Sequence, residues 1–318
     1  MQDRMESGSK ALDLVYGGVF GTLFPLFLFA ARTFEHRNRG FEIADQVIEA
    51  FVALRPKYLD AVCGNMARVL GLPAEHPDVR RVALQAIRQH AYSWVDFFRF
   101  GQRPIQDAWR YLDAIEGRDH LDASLAAGRG VILLTAHLGS YEVGGMLLRG
   151  RGHTIHAVYK PDRFAPVERL RTRMRENAGV IGIAVGEGFA TLPLVKVLRE
   201  GGLVGMQGDR DFSLNGLPVP FFGREAFFPR GPWELAAMTG AAIVPAFFYT
   251  DEEHRFRAHF EAPLHVVGGR GERMREIEKG MRRYVAHLES LVRGRPDQWY
   301  CFYPFWDDPK RAFQNSES

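Results

Sequence analysis

Gly130-Val131-Ile132-Leu133-Leu134-Thr135-Ala136-His137-Leu138-Gly139-Ser140-Tyr141-Glu142 is the stretch from which the fold can be read. Its opening is a short apolar run of branched residues entered through a glycine, the pattern of a strand buried on both faces of an α/β sheet. Ser140 then stands as an N-cap, and Val143, Met146, Leu147 and Leu148 form one helical stripe that ends at Gly150. His137 therefore falls at the carboxyl end of a strand, where open α/β sheets hold their ligands. Glu142, with four residues between, is predicted to fold back from the first turn of the helix towards the imidazole. A histidine whose tautomer is fixed by a carboxylate is the equipment of a general base. A loop histidine beside a solvated glutamate that favours the helix dipole is the alternative.

Working outward, Phe41 to Arg99 is patterned as helices. One stripe carries Val47, Ile48, Phe51 and Leu54, and a second runs from Tyr58 to Leu70. A long third spans Asp78 to Arg99, with an aromatic end at Trp94, Phe97 and Phe98. Alternation of strands and helices starts near Arg118. Strands are predicted at His153 to Tyr159, Val180 to Val185, Leu203 to Gly208, Ala241 to Tyr249 and Arg255 to Ala262. The segment between Gly208 and Pro232 reads as a loop, and Glu272 to Val292 as a long charged helix. The rhythm predicts an α/β fold: a mixed, largely parallel sheet covered by helices. It divides the chain into a hydrophobic segment (1–40), a helical region (41–117), an α/β core (118–310) and a tail (311–318).

With 318 residues the chain is long enough for a substantial core, and a formal charge of +3 is too small to argue for nucleic acid. Cys63 and Cys301, far apart and without a second pair, fit a reducing compartment and no metal framework. His153-x-x-His156 matches no zinc motif, so no metal site is expected. Leu14 to Ala31 is uncharged, at the short end of the roughly 17–25 residues that span a bilayer. A spanning helix, a monotopic anchor and a buried amphipathic helix all remain open for it. Arg32, Arg37 and Arg39 follow, which puts the rest of the chain in the cytoplasm or gives the run cations for anionic head groups.

Further chemistry gathers at other predicted strand ends. Lys160 closes one strand and Gly208-Asp209-Arg210-Asp211 another, on the same side of the sheet as His137. A lysine there suits phosphate as a point charge, so Lys160 is read as a partner for an anionic substrate. Asp209 and Arg210 either form an ion pair that shapes the pocket or touch substrate. Pro232 after Arg230-Gly231 marks a helix start with free N–H groups, predicted to hold a phosphate or a developing oxyanion. Phe221, Phe222 and Phe228 either line an acyl pocket or fill the core.

His137-Leu138-Gly139-Ser140-Tyr141-Glu142 resembles the first motif of the lysophospholipid acyltransferase superfamily. It is nearest to the bacterial branch of late lipid A acyltransferases and mycobacterial phosphatidylinositol mannoside acyltransferases. Phe221-Phe222-Gly223, Pro229-Arg230-Gly231 and Thr239-Gly240-Ala241 are similar to that branch's later blocks. Pro296-Asp297-Gln298-Trp299-Tyr300 resembles its closing signature; Phe302-Tyr303-Pro304-Phe305-Trp306 then departs from the usual basic run. The resemblance implies a glycerol-3-phosphate acyltransferase-like αβα fold at the cytoplasmic face of the inner membrane. It implies transfer of a fatty acyl chain from acyl carrier protein or acyl-CoA to a lipid hydroxyl, with the thioester as co-substrate and no other cofactor. His137 would be the base, Glu142 its orienter and Arg175 the second basic position. A lipid A precursor and a mannoside-type glycolipid both stay open as acceptor. A serine hydrolase using Ser140 is a weaker alternative, because the Gly-x-Ser-x-Gly elbow is missing. A lipid-binding module without activity is another, opposed by the intact His–Glu pair.

Overall fold

The computed structural model describes residues 37–307, except 55, 163, 186–190, 212–214 and 270. The apolar run 14–31 and the tail 311–318 lie outside the described residues. Among those described, no helix is long and apolar enough to cross a membrane.

Three helices come first: α1 (Arg37–Leu54), α2 (Pro56–Leu70) and α3 (Pro77–Phe100). The short α4 (Gln106–Trp109) leads into β1 (Leu112–Glu116), α5 (Arg118–Ala126), β2 (Val131–Thr135) and α6 (Tyr141–Gly150). Then follow β3 (Ile155–Tyr159), α7 (Ala165–Asn177), β4 (Ile181–Ala184), α8 (Thr191–Arg199) and β5 (Leu203–Gln207). A hairpin of β6 (Leu217–Phe221) and β7 (Arg224–Phe228) precedes α9 (Gly231–Thr239), β8 (Ala242–Thr250), β9 (Phe256–Phe260) and α10 (Arg273–Gly294). A 3₁₀ turn, Pro296–Gln298, closes the described chain's regular structure.

The seven-stranded sheet has the order β1-β9-β8-β2-β5-β3-β4. The run from β8 to β4 is parallel, and β9, antiparallel to β8, reverses the direction at one edge. Side chains alternate across it: Ile132 and Leu134 join one core, Val131 and Leu133 the other. Helices cover both faces, as the α–β rhythm requires.

Three features depart from the sequence reading. β1 lies in the segment read as wholly helical and pairs in parallel with β9; as a short edge strand, it carries little apolar signal. The segment read as a loop contains the β6–β7 hairpin, whose Pro218 and Pro220 mask a strand because proline cannot donate to a ladder. Arg37, read as a cation for lipid head groups, is buried. Its guanidinium forms a two-point pair with Asp96 on α3 at 2.7 and 2.5 Å, tying α1 to α3.

α3 is 24 residues long and crosses from one core to the other. Val79, Val82, Ala83, Ala86 and Ile87 belong to the first core, Phe97, Phe98 and Phe100 to the second. The stretch between them packs against the 3₁₀ turn and so stands beside the His137 loop, to which that turn is bonded.

Candidate active site

β2 and β5 are neighbours in register, with Thr135 opposite Gln207 and the Gly208 N–H donating to the Thr135 carbonyl. His137 and Asp209 each stand two residues beyond this last pair, at the same edge of the sheet. The Asp209 carboxylate accepts from the His137 backbone N–H at 3.1 Å with one oxygen and bonds Nδ1 at 2.8 Å with the other. Asp209 is buried and the His137 side chain is 15% exposed. Burial raises the Asp209 pKa, but the charge and hydrogen bond of His137 outweigh that and hold it below the usual carboxylate value. Burial, and then the Arg210 guanidinium, lower the His137 pKa against the pull of Asp209. An ionised Asp209 beside a neutral imidazole puts the proton on Nδ1 and leaves the Nε2 lone pair free.

Glu142 is the first correction. It was expected to hold His137; instead it bonds across to α7, taking Arg175 Nη2 at 2.5 Å, Arg175 Nε at 3.2 Å and Arg171 at 3.4 Å. Arg171 and Arg175 are one helical turn apart and so present the same face to Glu142. Burial raises the Glu142 pKa, and the two arginines, Arg175 first, more than reverse that. The Arg175 Nη1 atom is buried and has no hydrogen-bond partner among the described residues.

The second correction concerns Asp209 and Arg210, which form no ion pair with each other among the described residues. Arg210 donates from Nη2 to the Tyr300 carbonyl and lies over the Tyr303 ring at 5.7 Å. The Tyr300 N–H in turn donates to the His137 carbonyl at 2.8 Å, and the Gly139 N–H to the Gln298 carbonyl at 2.8 Å. Gln298 is fixed by its side chain, which accepts from the Thr250 N–H and donates to the Thr250 carbonyl. The closing signature of the chain thus clamps the loop that carries the base. Gly139 has φ +59°, and a Cβ there would meet the Phe248 carbonyl oxygen at 2.2 Å; only glycine fits.

The remaining expected residues divide. Lys160 is exposed one residue past β3, and Gly231 is exposed at the start of α9. Arg230 pairs with Glu234 at 2.7 Å, so the helix start already carries a carboxylate of its own. Phe221 and Phe228 have no exposed surface; Phe221 packs edge to face on Trp299, Phe305 and Phe228 and stacks on Trp306, and Phe228 packs edge to face on Phe305, as core. Phe222 joins Phe221 at 4.7 Å and takes Arg293 on its face at 5.0 Å. These three rings form a closed aromatic block rather than the wall of an open acyl pocket. Ser140 Oγ makes no hydrogen bond to a histidine among the described residues, which removes the geometry that a serine nucleophile needs.

Sequence reading missed His90, Trp94 and Tyr141 as members of the site. The Tyr141 ring stands edge-on to His137 at 5.5 Å. His90 packs on Tyr300 at 4.8 Å. The aromatic end of the third helical pattern was the available signal, but aromatics on a helix usually mark core.

Residues 24–307 match the family described as bacterial lipid A biosynthesis acyltransferase. A phosphatidylinositol mannoside acyltransferase of Mycobacterium tuberculosis is 37% identical over 249 residues, covering 76% of this chain and 75% of its own. A protein of the same description from Mycolicibacterium smegmatis is 33% identical over 262 residues, 78% of this chain and 81% of its own. The lipid A biosynthesis palmitoleoyltransferase of Escherichia coli is 31% identical over 134 residues, 41% of this chain and 42% of its own.

Proposed function

The chain belongs to the bacterial lipid A biosynthesis acyltransferase family and is an acyltransferase, and we propose that it esterifies a hydroxyl of an anionic glycolipid. The observation that carries this is the His137–Asp209 pair at the paired ends of β2 and β5. Asp209 holds Nδ1–H and leaves Nε2 as the base. The acceptor hydroxyl gives its proton to Nε2 while its oxygen attacks the thioester carbonyl of acyl carrier protein or acyl-CoA. The tetrahedral intermediate collapses by breaking the C–S bond, and the imidazolium returns the proton to the leaving thiolate. No acyl-enzyme forms. Lys160, exposed one residue past β3, puts a cation on this side of the sheet, which suits a phosphate on donor or acceptor. The membrane surface is the expected place of work, at the cytoplasmic face of the inner membrane, with the run 14–31 as its anchor.

Two acceptors fit: a lipid A precursor and a phosphatidylinositol mannoside-like lipid. The longer match to the mannoside enzymes favours the second. The test is acyl transfer by the purified protein, with acyl carrier protein and acyl-CoA donors against both acceptors. Ester formed only with acceptor present supports the proposal, and the better acceptor decides between the two. Free fatty acid released without acceptor refutes it in favour of hydrolysis.

The pH dependence carries a second expectation. Only neutral His137 is a base, so kcat/KM rises as pH climbs through its free-enzyme pKa. Arg210 lowers that pKa. Arg210→Met therefore moves the acid limb of kcat/KM to higher pH. A limb that stays in place shows that Arg210 does not act on His137.

A further inference from the structure

His90 lies on α3 between its two buried ends, and the mechanism above makes no use of it. Trp94, one turn further on, donates from Nε1 to His90 Nε2 at 3.0 Å. An indole N–H can only donate, so Nε2 must present its lone pair and the ring proton must sit on Nδ1. Tyr300 at 4.8 Å and Phe302 at 5.0 Å, stacked on each other, flank the ring. Tyr300 is also the residue whose N–H holds the His137 carbonyl, so the two histidines are separated by a single residue's contacts. Burial, then Arg210, His137 and Arg171, push the His90 pKa down to about 3. Among the described residues Nδ1 has no hydrogen-bond partner. His90 is therefore a neutral imidazole beside the base, with its lone pair occupied and one N–H to give.

Such a group cannot compete with His137 for the acceptor's proton. It can serve an oxygen that becomes negative during the reaction, because a neutral donor held in place needs no reorganisation as charge develops. Arg175 and Arg171 are already engaged by Glu142, and Arg210 by the Tyr300 carbonyl. Resting on the acyl-transfer reading, we propose that His90 is a second catalytic histidine, whose Nδ1–H donates to the thioester carbonyl oxygen as it becomes the oxyanion. Trp94 is the positioning residue that fixes the tautomer.

The first arm of the test needs no substrate. Long-range ¹H–¹⁵N spectra of the full-length protein report the tautomer of each imidazole, with His90→Asn assigning the resonance. The expected form is neutral Nδ1–H between pH 6 and 8; a neutral Nε2–H form, or a ring that protonates near pH 6.5, overturns the proposal. The second arm is kinetic. His90→Phe keeps the ring and loses the donor, and lowers kcat about 10²–10³-fold, as loss of one oxyanion donor does elsewhere. KM changes little, because the interaction belongs to the transition state. His90→Asn, which restores an N–H near Nδ1, recovers part of the loss, and the acid limb of kcat/KM stays in place because a neutral group was removed. A His90→Phe enzyme with intact kcat, or a His90→Asn enzyme no better than it, overturns the proposal. Failure of the wild-type protein to transfer acyl groups at all counts against the parent reading instead, and the spectra distinguish the two.

Discussion

Replacing His137 by alanine lowers kcat for acyl transfer by about 10²–10⁴-fold, the usual contribution of a positioned base. Asp209→Asn falls in the same range, for a different reason. The amide is nearly isosteric and can still accept from the His137 backbone N–H. Its side-chain NH₂, however, no longer rewards a proton on Nδ1 and can turn a donor towards it. The imidazole then loses both its preferred tautomer and the charge that stabilises it as it protonates. The two residues act as one unit, so His137→Ala/Asp209→Asn is scarcely worse than His137→Ala alone. Kinetics of the three variants, with circular dichroism to show intact folds, check this. Additive losses refute the unit, and an Asp209→Asn enzyme at wild-type rate removes Asp209 from the mechanism.

That Asp209, a candidate by its strand end, had its role as the partner of His137 revealed only by the structure says what the sequence can carry. Branched apolar runs such as Val131–Leu134, and the stripe of α6, announce their own elements because burial imposes the period locally. His137 was legible for the same reason, being placed by a strand that ends just before it. Its partner is 72 residues away, on a strand that becomes a neighbour only through the order β2-β5. Nothing within either segment states that order. Glu142 lies close in sequence, and closeness in sequence favoured it; the helical face that Arg171 and Arg175 share on α7 decided otherwise. The β6–β7 hairpin hid behind its prolines, and the aromatic block of Phe221, Phe228 and Trp299 joins segments that only the folded chain brings together. His90 was invisible because its meaning depends on one indole N–H and one tyrosine ring.

Glu142→Gln is expected to damage stability more than chemistry. Glu142 is 16% exposed and Arg175 only 3%, and the variant leaves Arg175 buried against an amide in place of a carboxylate. Removing one partner of a buried pair costs about 3–5 kcal/mol, whereas removing both is far milder. For a chain of 318 residues each kcal/mol is worth about 1.5 °C in Tm, so Glu142→Gln melts about 5–8 °C early. Glu142→Gln/Arg175→Met recovers much of that. The sign with pH follows from the depressed Glu142 pKa: the contribution is full above the ordinary glutamate value of 4.5 and is lost as pH falls through the lower folded value. The gap in Tm between wild type and variant therefore closes in acid. Below its melting temperature the variant keeps most of its kcat, because His137 is held by Asp209. Thermal melts across pH, read beside the kinetics of Asp209→Asn, separate the two carboxylates. A Glu142→Gln protein that melts with the wild type refutes the structural role. One that keeps its Tm and loses turnover as Asp209→Asn does would make Glu142, after all, the residue that orients the base.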